Sequence, residues 1–300
     1  MKKRIKQFLR PVIQRNLSPK TVQALRFQLW LISSYYPRLI GSRIVKRRAK
    51  VRAFGGTRSS LVEELRAVNL MSPQETCLVM AKWGSDKARN EYTPLYSALF
   101  RGRFDRPLRI VELGLGTNNP EMLSSMGVFG APGASLRGWR QLFPHALVYG
   151  ADVDRGILFE EDRIKTFYCD QLNRSSILEL WSQEELRRGA EIIIEDGLHT
   201  FEANISFLDA SLPHLQLGGI YVVEDVGWDS FEQWNDRIES IYLKQYPTYE
   251  FAFVVLSDRG YNNLLVIRRM PDKPKAKTTR EGSESRTEVA DDAQPSLTPR

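Results

Sequence analysis

Cysteine is almost missing from this chain of 300 residues. The two present, Cys77 and Cys169, have no paired spacing, which excludes a disulfide scaffold and a thiolate zinc site and fits a reducing compartment. Histidine is nearly as scarce, with only His145, His199 and His214. Acid is absent from the start of the chain: sixteen Lys or Arg precede Glu63, and no Asp or Glu does. The remainder carries 27 basic against 36 acidic residues, so the net charge of +7 belongs to an N-terminal arm and the body is acidic. Enzymes acting on nucleic acid carry positive surface around the site, because phosphate neutralisation drives their binding. The acidic body therefore argues against a nucleic-acid partner. A long hydrophobic run is also lacking. Residues 27–40 (FQLWLISSYYPRLI) are apolar and aromatic, but Pro37 and Arg38 interrupt them, and the run is shorter than the roughly 20 residues that span a bilayer. No signal peptide is expected, since Arg10, Pro11 and Arg15 break the apolar run behind the basic start. The expected location is cytoplasmic.

Three segments follow from these shifts in composition. Residues 1–60 read as the basic arm, closed by a hinge at Gly55–Gly56. With Phe8, Phe27, Trp30, Leu31, Tyr35 and Tyr36 set among its charges, the arm suits an anionic membrane surface, peripheral to the inner face of the membrane. The alternative is a helical arm packed on the body, or on a second subunit of a homo-oligomer. Residues 61–270 read as one α/β domain, and residues 271–300, poor in large apolar side chains, as a disordered tail.

Within the domain, apolar runs predict strands at 108–113 (LRIVEL), 146–151 (ALVYGA), 192–194, 219–223 (GIYVV), 251–256 and 263–267 (NLLVI), the last two joined by a turn over 257–262. Helical periodicity starts near Ser60 and recurs over 134–142, 175–187, 200–212 and 230–245. Strands alternating with helices predict a Rossmann-like, doubly wound and mostly parallel sheet, with an antiparallel hairpin at its edge. In such sheets ligands bind beyond the carboxyl ends of the strands. The first strand ends in Glu112, Gly114 and Gly116, where glycine permits a sharp turn and a close backbone approach. The second ends in Asp152, placed to hold a ribose diol, and a third strand end carries Asp170 and Gln171, an acid and an amide for an adenine edge. These six residues are the expected nucleoside site. The third glycine of the dinucleotide fingerprint is missing, and Asp152 comes later after the loop than the roughly 20 residues expected of a nicotinamide enzyme. Both features disfavour an NAD-binding oxidoreductase. The glycine-rich stretch 118–133 between them is expected to cover the site as a loop.

The blocks KWGSDK (82–87), YTPLY (92–96), VELGLG (111–116), GASLRGWRQLFP (133–144), YGADVD (149–154), DQ (170–171), EDGLH (195–199) and GGIYVVED (218–225) recur in an order and spacing that resembles the macrolide-sugar O-methyltransferases. The resemblance covers about residues 75–268. It implies a class I methyltransferase with S-adenosyl-L-methionine as donor, a magnesium ion that orients the acceptor, and a small-molecule or glycan acceptor bearing a hydroxyl. It also implies that Asp196 and Asp225 hold the metal, that His199 is the general base, and that Gly114, Gly116, Asp152, Asp170 and Gln171 line the cofactor site. The chain departs from the family at Leu198, where serine is usual, at Glu91, often histidine, and over residues 226–231 (VGWDSF) after the final acid pair.

Other readings stand beside this one. His199 could instead cap a helix starting at Thr200, Glu224 and Asp225 could accept backbone N–H groups at a strand end, and KWGSDK could be a solvated turn. Methylation of RNA or protein is the alternative activity. The acidic body disfavours it, as does the lack of an Asn/Asp-Pro-Pro-Tyr/Phe motif.

Overall fold

The computed structural model describes residues 18–55, 59–127, 130–256 and 261–271. The basic residues 1–17, Gly56 of the expected Gly55–Gly56 hinge with Thr57 and Arg58 after it, most of the turn over 257–262 and the tail from residue 272 lie outside the described residues. Nine strands form one sheet: β1 (Lys50–Ala53), β2 (Arg109–Leu113), β3 (Leu147–Asp152), β4 (Glu160–Glu161), β5 (Ile164–Tyr168), β6 (Ala190–Glu195), β7 (Leu215–Val226), β8 (Tyr249–Val255) and β9 (Asn263–Arg269). Their order is β1-β8-β9-β7-β6-β2-β3-β5-β4. The five central strands, from β7 to β5, are parallel. The β8–β9 hairpin closes one side antiparallel to β7, and the two short strands β1 and β4 add antiparallel edges. This is the Rossmann-like sheet that the apolar runs predict.

Central parallel strands are covered on both faces, which is why β6 reads AEIIIE with Ile192, Ile193 and Ile194 all fully buried. One face packs against Tyr96, Phe100, Trp139 and Phe143, the other against Trp181, Phe207, Trp234 and Phe251. Helix Ala134–Leu142 has the expected bounds. The helix expected over 230–245 is divided instead into Phe231–Arg237, a π-helical turn Ile238–Tyr242 and Leu243–Gln245. Trp234, Ile238 and Tyr242 are all buried, and their repeated spacing of four drifts around an α-helix but stays on one face through a π turn. Two helices that the periodicity did not suggest, Glu75–Trp83 and Tyr92–Leu99, bracket the KWGSDK–Glu91 stretch.

The described part of the arm is a helix, Pro19–Trp30 and Tyr36–Gly41, joined through a π turn at Leu31–Tyr35. Ser18 caps it by accepting from the Thr21 N–H at 3.1 Å. Trp30 is buried in the core, with Phe27, Leu31 and Tyr35 packed beside it. The Gln23 amide donates to the Lys82 carbonyl at 2.8 Å, and Arg38 pairs with Glu91 at 3.1 Å. The chain then runs on as β1 along β8. A protein beginning at Thr57 loses Trp30 from the core and bares the β8 edge. We expect it to be destabilised by at least the ~3–5 kcal/mol typical of one buried aromatic side chain, measured by urea denaturation.

Candidate active site

The carboxyl ends of β2, β3, β5, β6 and β7 open on one cavity of about 300 Å³, at the lower end of the ~300–1,000 Å³ usual for small-molecule sites. Gly114, Gly116, Asp152, Asp170, Gln171, Asp196, His199 and Asp225 all line it. Glu112 does not. It is fully buried one step down β2, where Ser135 Oγ and Trp139 Nε1 both donate to its carboxylate.

The glycine loop is built around close approaches. A Cβ on Gly114 would lie 1.9 Å from the Asp196 carbonyl oxygen, and one on Gly116 would lie 2.2 Å from Met126 Sδ. Both glycines have positive φ, at 92° and 78°. Asp152 fixes the same loop to β3: Oδ2 accepts from the Leu115 N–H at 2.7 Å, and Oδ1 from the Asp154 N–H at 2.9 Å. Burial pushes its carboxyl above the usual carboxylate range, against the pull of those two backbone donors. Gln171 bridges two strand ends, its Nε2 donating to Glu195 Oε1 at 2.7 Å and its Oε1 accepting from the Leu198 N–H at 2.9 Å. Burial drives the Glu195 carboxyl up to about 7. Asp170 accepts from the Leu172 N–H at 3.0 Å in its own turn. From the covering loop, Glu121, Met122, Leu123, Ser124 and Met126 reach the cavity, as expected of a stretch that covers the site.

Asp196, His199 and Asp225 converge, each offering a ligand atom within 4.8 Å of the others. His199 Nε2 lies 4.0 Å from Asp225 Oδ2. His199 and Asp225 both have positive φ, at 64° and 52°, a conformation that L-residues other than glycine seldom adopt and that tends to collect at functional sites. Thr200, not His199, caps helix Phe201–Ser211, accepting from the Ala203 N–H at 3.3 Å. The other two histidines lie elsewhere: His145 is exposed, and His214 stacks on Trp181 with ring centroids 4.5 Å apart.

Beneath the triad lies a buried charge cluster that sequence reasoning did not locate. Lys87, from KWGSDK, is 1% exposed. Its ammonium donates to Asp196 Oδ2 at 2.7 Å and to both oxygens of Glu224 at 2.8 Å, with Glu112 Oε1 at 3.4 Å. Burial opposes its charge, but Asp196, Glu112 and Glu224 outweigh that and hold the ammonium well above its ordinary value. The hydroxyl of Tyr96 donates to Glu224, and that of Tyr92 to Asp225 Oδ1 at 2.6 Å. Glu224 and Asp225 are thus held by the side chains of Lys87, Tyr96 and Tyr92 at this strand end, and KWGSDK, with Ser85 and Lys87 buried, is not a solvated turn.

The departures from the family pattern also have visible surroundings. Glu91 begins helix Tyr92–Leu99 and pairs with Arg38 and Arg47 of the arm, so an acid stands where it anchors that basic segment. Trp228 stacks on Phe231 at 5.0 Å, with the Arg52 guanidinium 4.3 Å from the Phe231 ring.

No family model matches the chain. It is 34% identical over 152 residues to demethylmacrocin O-methyltransferase of Streptomyces fradiae, covering 50% of this chain and 34% of that protein. It is 32% identical over 153 residues to 8-demethyl-8-alpha-L-rhamnosyl tetracenomycin-C 2'-O-methyltransferase of Streptomyces olivaceus, covering 50% and 38%. It is 32% identical over 142 residues to mycinamicin VI 2''-O-methyltransferase of Micromonospora griseorubida, covering 47% and 32%. The matches thus span about a third of the length of these curated relatives, which are O-methyltransferases. Among solved structures, the MycE methyltransferase of the mycinamycin biosynthetic pathway, in complex with Mg and SAH, superposes with a TM-score of 0.51 at 23% identity, over 69% of this chain and 58% of that one. A second MycE complex, with Mg, SAH and mycinamycin VI, gives 0.50 at 23% identity, over 69% and 57%. At that identity the likeness establishes the fold.

Proposed function

We propose that this chain transfers a methyl group from S-adenosylmethionine to a hydroxyl of a small, sugar-containing acceptor. One observation carries the reading: a single cavity joins the Gly114–Gly116 loop, Asp152 and Asp170 on one side to Asp196, His199 and Asp225 on the other. The first group suits a nucleoside, the second an acceptor whose proton must be removed, and curated relatives that match half of the chain are O-methyltransferases, one of them named for a rhamnosyl compound. Bound against the glycine loop, S-adenosylmethionine supplies a sulfonium methyl, and alignment with the acceptor oxygen then governs the rate.

Each residue has a definite task in this reading. Asp152 and Asp170 accept hydrogen bonds from the nucleoside, while the paired backbone donors hold the Asp152 carboxylate at the loop. His199 accepts the acceptor hydroxyl's proton on its imidazole, and Asp225, 4.0 Å away, favours the resulting imidazolium. Two carboxylates and an imidazole within 4.8 Å also fit a divalent cation. One oxygen of Asp196 is held by Lys87 and one of Asp225 by Tyr92, which leaves the other oxygen of each for that cation. Magnesium held there would lower the pKa of the acceptor hydroxyl and fix its position.

Calorimetric titration with S-adenosylhomocysteine and with NAD tests the cofactor: binding of the first and not the second supports the reading, and the reverse overturns it. In the same titration, Asp152→Ala should weaken S-adenosylhomocysteine by about 1.5–3 kcal/mol, the range for hydrogen bonds to a charged group. An affinity unchanged within about twofold, well under that range, would move the ribose contact to another residue.

A further inference from the structure

The arm helix buries one face and leaves the other bare. Phe27, Trp30, Leu31 and Tyr35 pack on the body. On the opposite face Leu25, Leu29, Ile32, Tyr36 and Ile40 recur at steps of three and four, with Leu29 59%, Ile32 68% and Ile40 68% exposed. Every residue exposed between Thr21 and Ile40 is uncharged. At about 1.5 Å per residue the stripe from Leu25 to Ile40 is roughly 23 Å long, and an exposed apolar patch on that scale marks an interaction surface.

Charge decides between the occupants. Lys20 stands exposed at one end of the stripe, and Arg43, Lys46 and Arg48 stand exposed at the other. No acid precedes Glu63 anywhere in this segment. A second copy laid antiparallel on the stripe would set its Lys20 beside Arg43, Lys46 and Arg48, and laid parallel it would set like ends together, so either pairing is repulsive. A sheet of anionic headgroups over an apolar layer matches both the stripe and its ends. No described helix is long and apolar enough to cross a membrane. The packed inner face also ties this helix down along its length.

We propose that the exposed face of residues 20–45 docks the protein on an anionic lipid bilayer, lying in its surface. The same helix holds the 82–91 stretch through Gln23 and Arg38, so docking fixes the loop that delivers Lys87 to the site. The inference is independent of the proposed reaction.

The test is vesicle sedimentation of the full chain, with phosphatidylcholine alone and with phosphatidylglycerol added. Binding should require phosphatidylglycerol and weaken as salt rises, because the basic ends are screened. The triple variant Leu29→Glu, Ile32→Glu, Ile40→Glu changes only exposed side chains and should bind at least tenfold more weakly, with its melting temperature and S-adenosylhomocysteine affinity preserved. Should it fold poorly, Arg43→Glu, Lys46→Glu, Arg48→Glu lies beyond the helix and should give the same loss. No binding of the parent to phosphatidylglycerol vesicles, or equal binding by a folded variant, overturns the proposal. So does a dimer, seen by sedimentation velocity without lipid, that the apolar triple variant converts to monomer.

Discussion

His199→Ala is expected to leave S-adenosylhomocysteine binding intact and to lower methyl transfer by roughly 10²–10⁴, the usual contribution of a positioned general base. With an α-L-rhamnoside as the probe acceptor, release of S-adenosylhomocysteine gives the rate. The structure adds a complication. His199 sits within the same 4.8 Å cluster as Asp196 and Asp225, so its imidazole is placed to be either a base or a ligand. The two roles separate in a second measurement. A cation bound to the native state raises stability by linkage, so magnesium or manganese should raise the melting temperature of the parent. If His199 is the base, His199→Ala keeps most of that rise, whereas Asp196→Asn and Asp225→Asn lose it. Loss of the rise in His199→Ala would make the imidazole a ligand. Unchanged turnover of His199→Ala would remove it from the chemistry altogether.

The central strands were legible because burial on both faces leaves a dense apolar run: β2, β3, β6, β7 and the β8–β9 hairpin all read from composition. β5 did not, although its end was recognised at Cys169-Asp170-Gln171. Its sequence IKTFY alternates, and Lys165 covers Phe167 with its ammonium 5.4 Å from the ring instead of marking a loop. β1 and β4 are four and two residues long and charged, so nothing in KVRA or EE announces pairing; the partner strand supplies the reason. The arm showed its basicity, but not that Trp30 is buried in the core. At the site, strand-end acids and glycines were readable because topology sends strand ends to one edge. Glu112 shares that position in sequence yet turns into the protein, where Trp139 and Ser135 meet it. The side-chain period of a strand decides that, and the final turn of β2 hides it.

Lys87→Met is expected to have the largest effect on stability of any single substitution in the site. A lysine in a short polar turn reads as solvated, and its burial depends on partners 109 and 137 residues further along the chain. Among the described residues it is the ammonium that faces Glu112, Glu224 and Asp196 together. Methionine nearly preserves the volume, so the change isolates charge. Without the ammonium, Glu224 and Glu112 become buried carboxyls lacking their cation, and breaking a buried pair from one side costs about 3–5 kcal/mol. Urea denaturation at neutral pH measures this, and a loss below about 1 kcal/mol, the level of an exposed pair, would mean the cluster is open to water. A second readout separates a positioning role from a merely structural one. Asp196 would lose the donor that now occupies its Oδ2, and the local potential at the Asp196–Asp225 pair would become more negative. The variant should therefore gain more melting temperature from added magnesium than the parent does, although it starts lower. If the magnesium response is unchanged while stability falls, Lys87 holds the fold without setting the charge of the site. If the response vanishes with S-adenosylhomocysteine binding retained, the ammonium is what holds Asp196 in place to meet a cation.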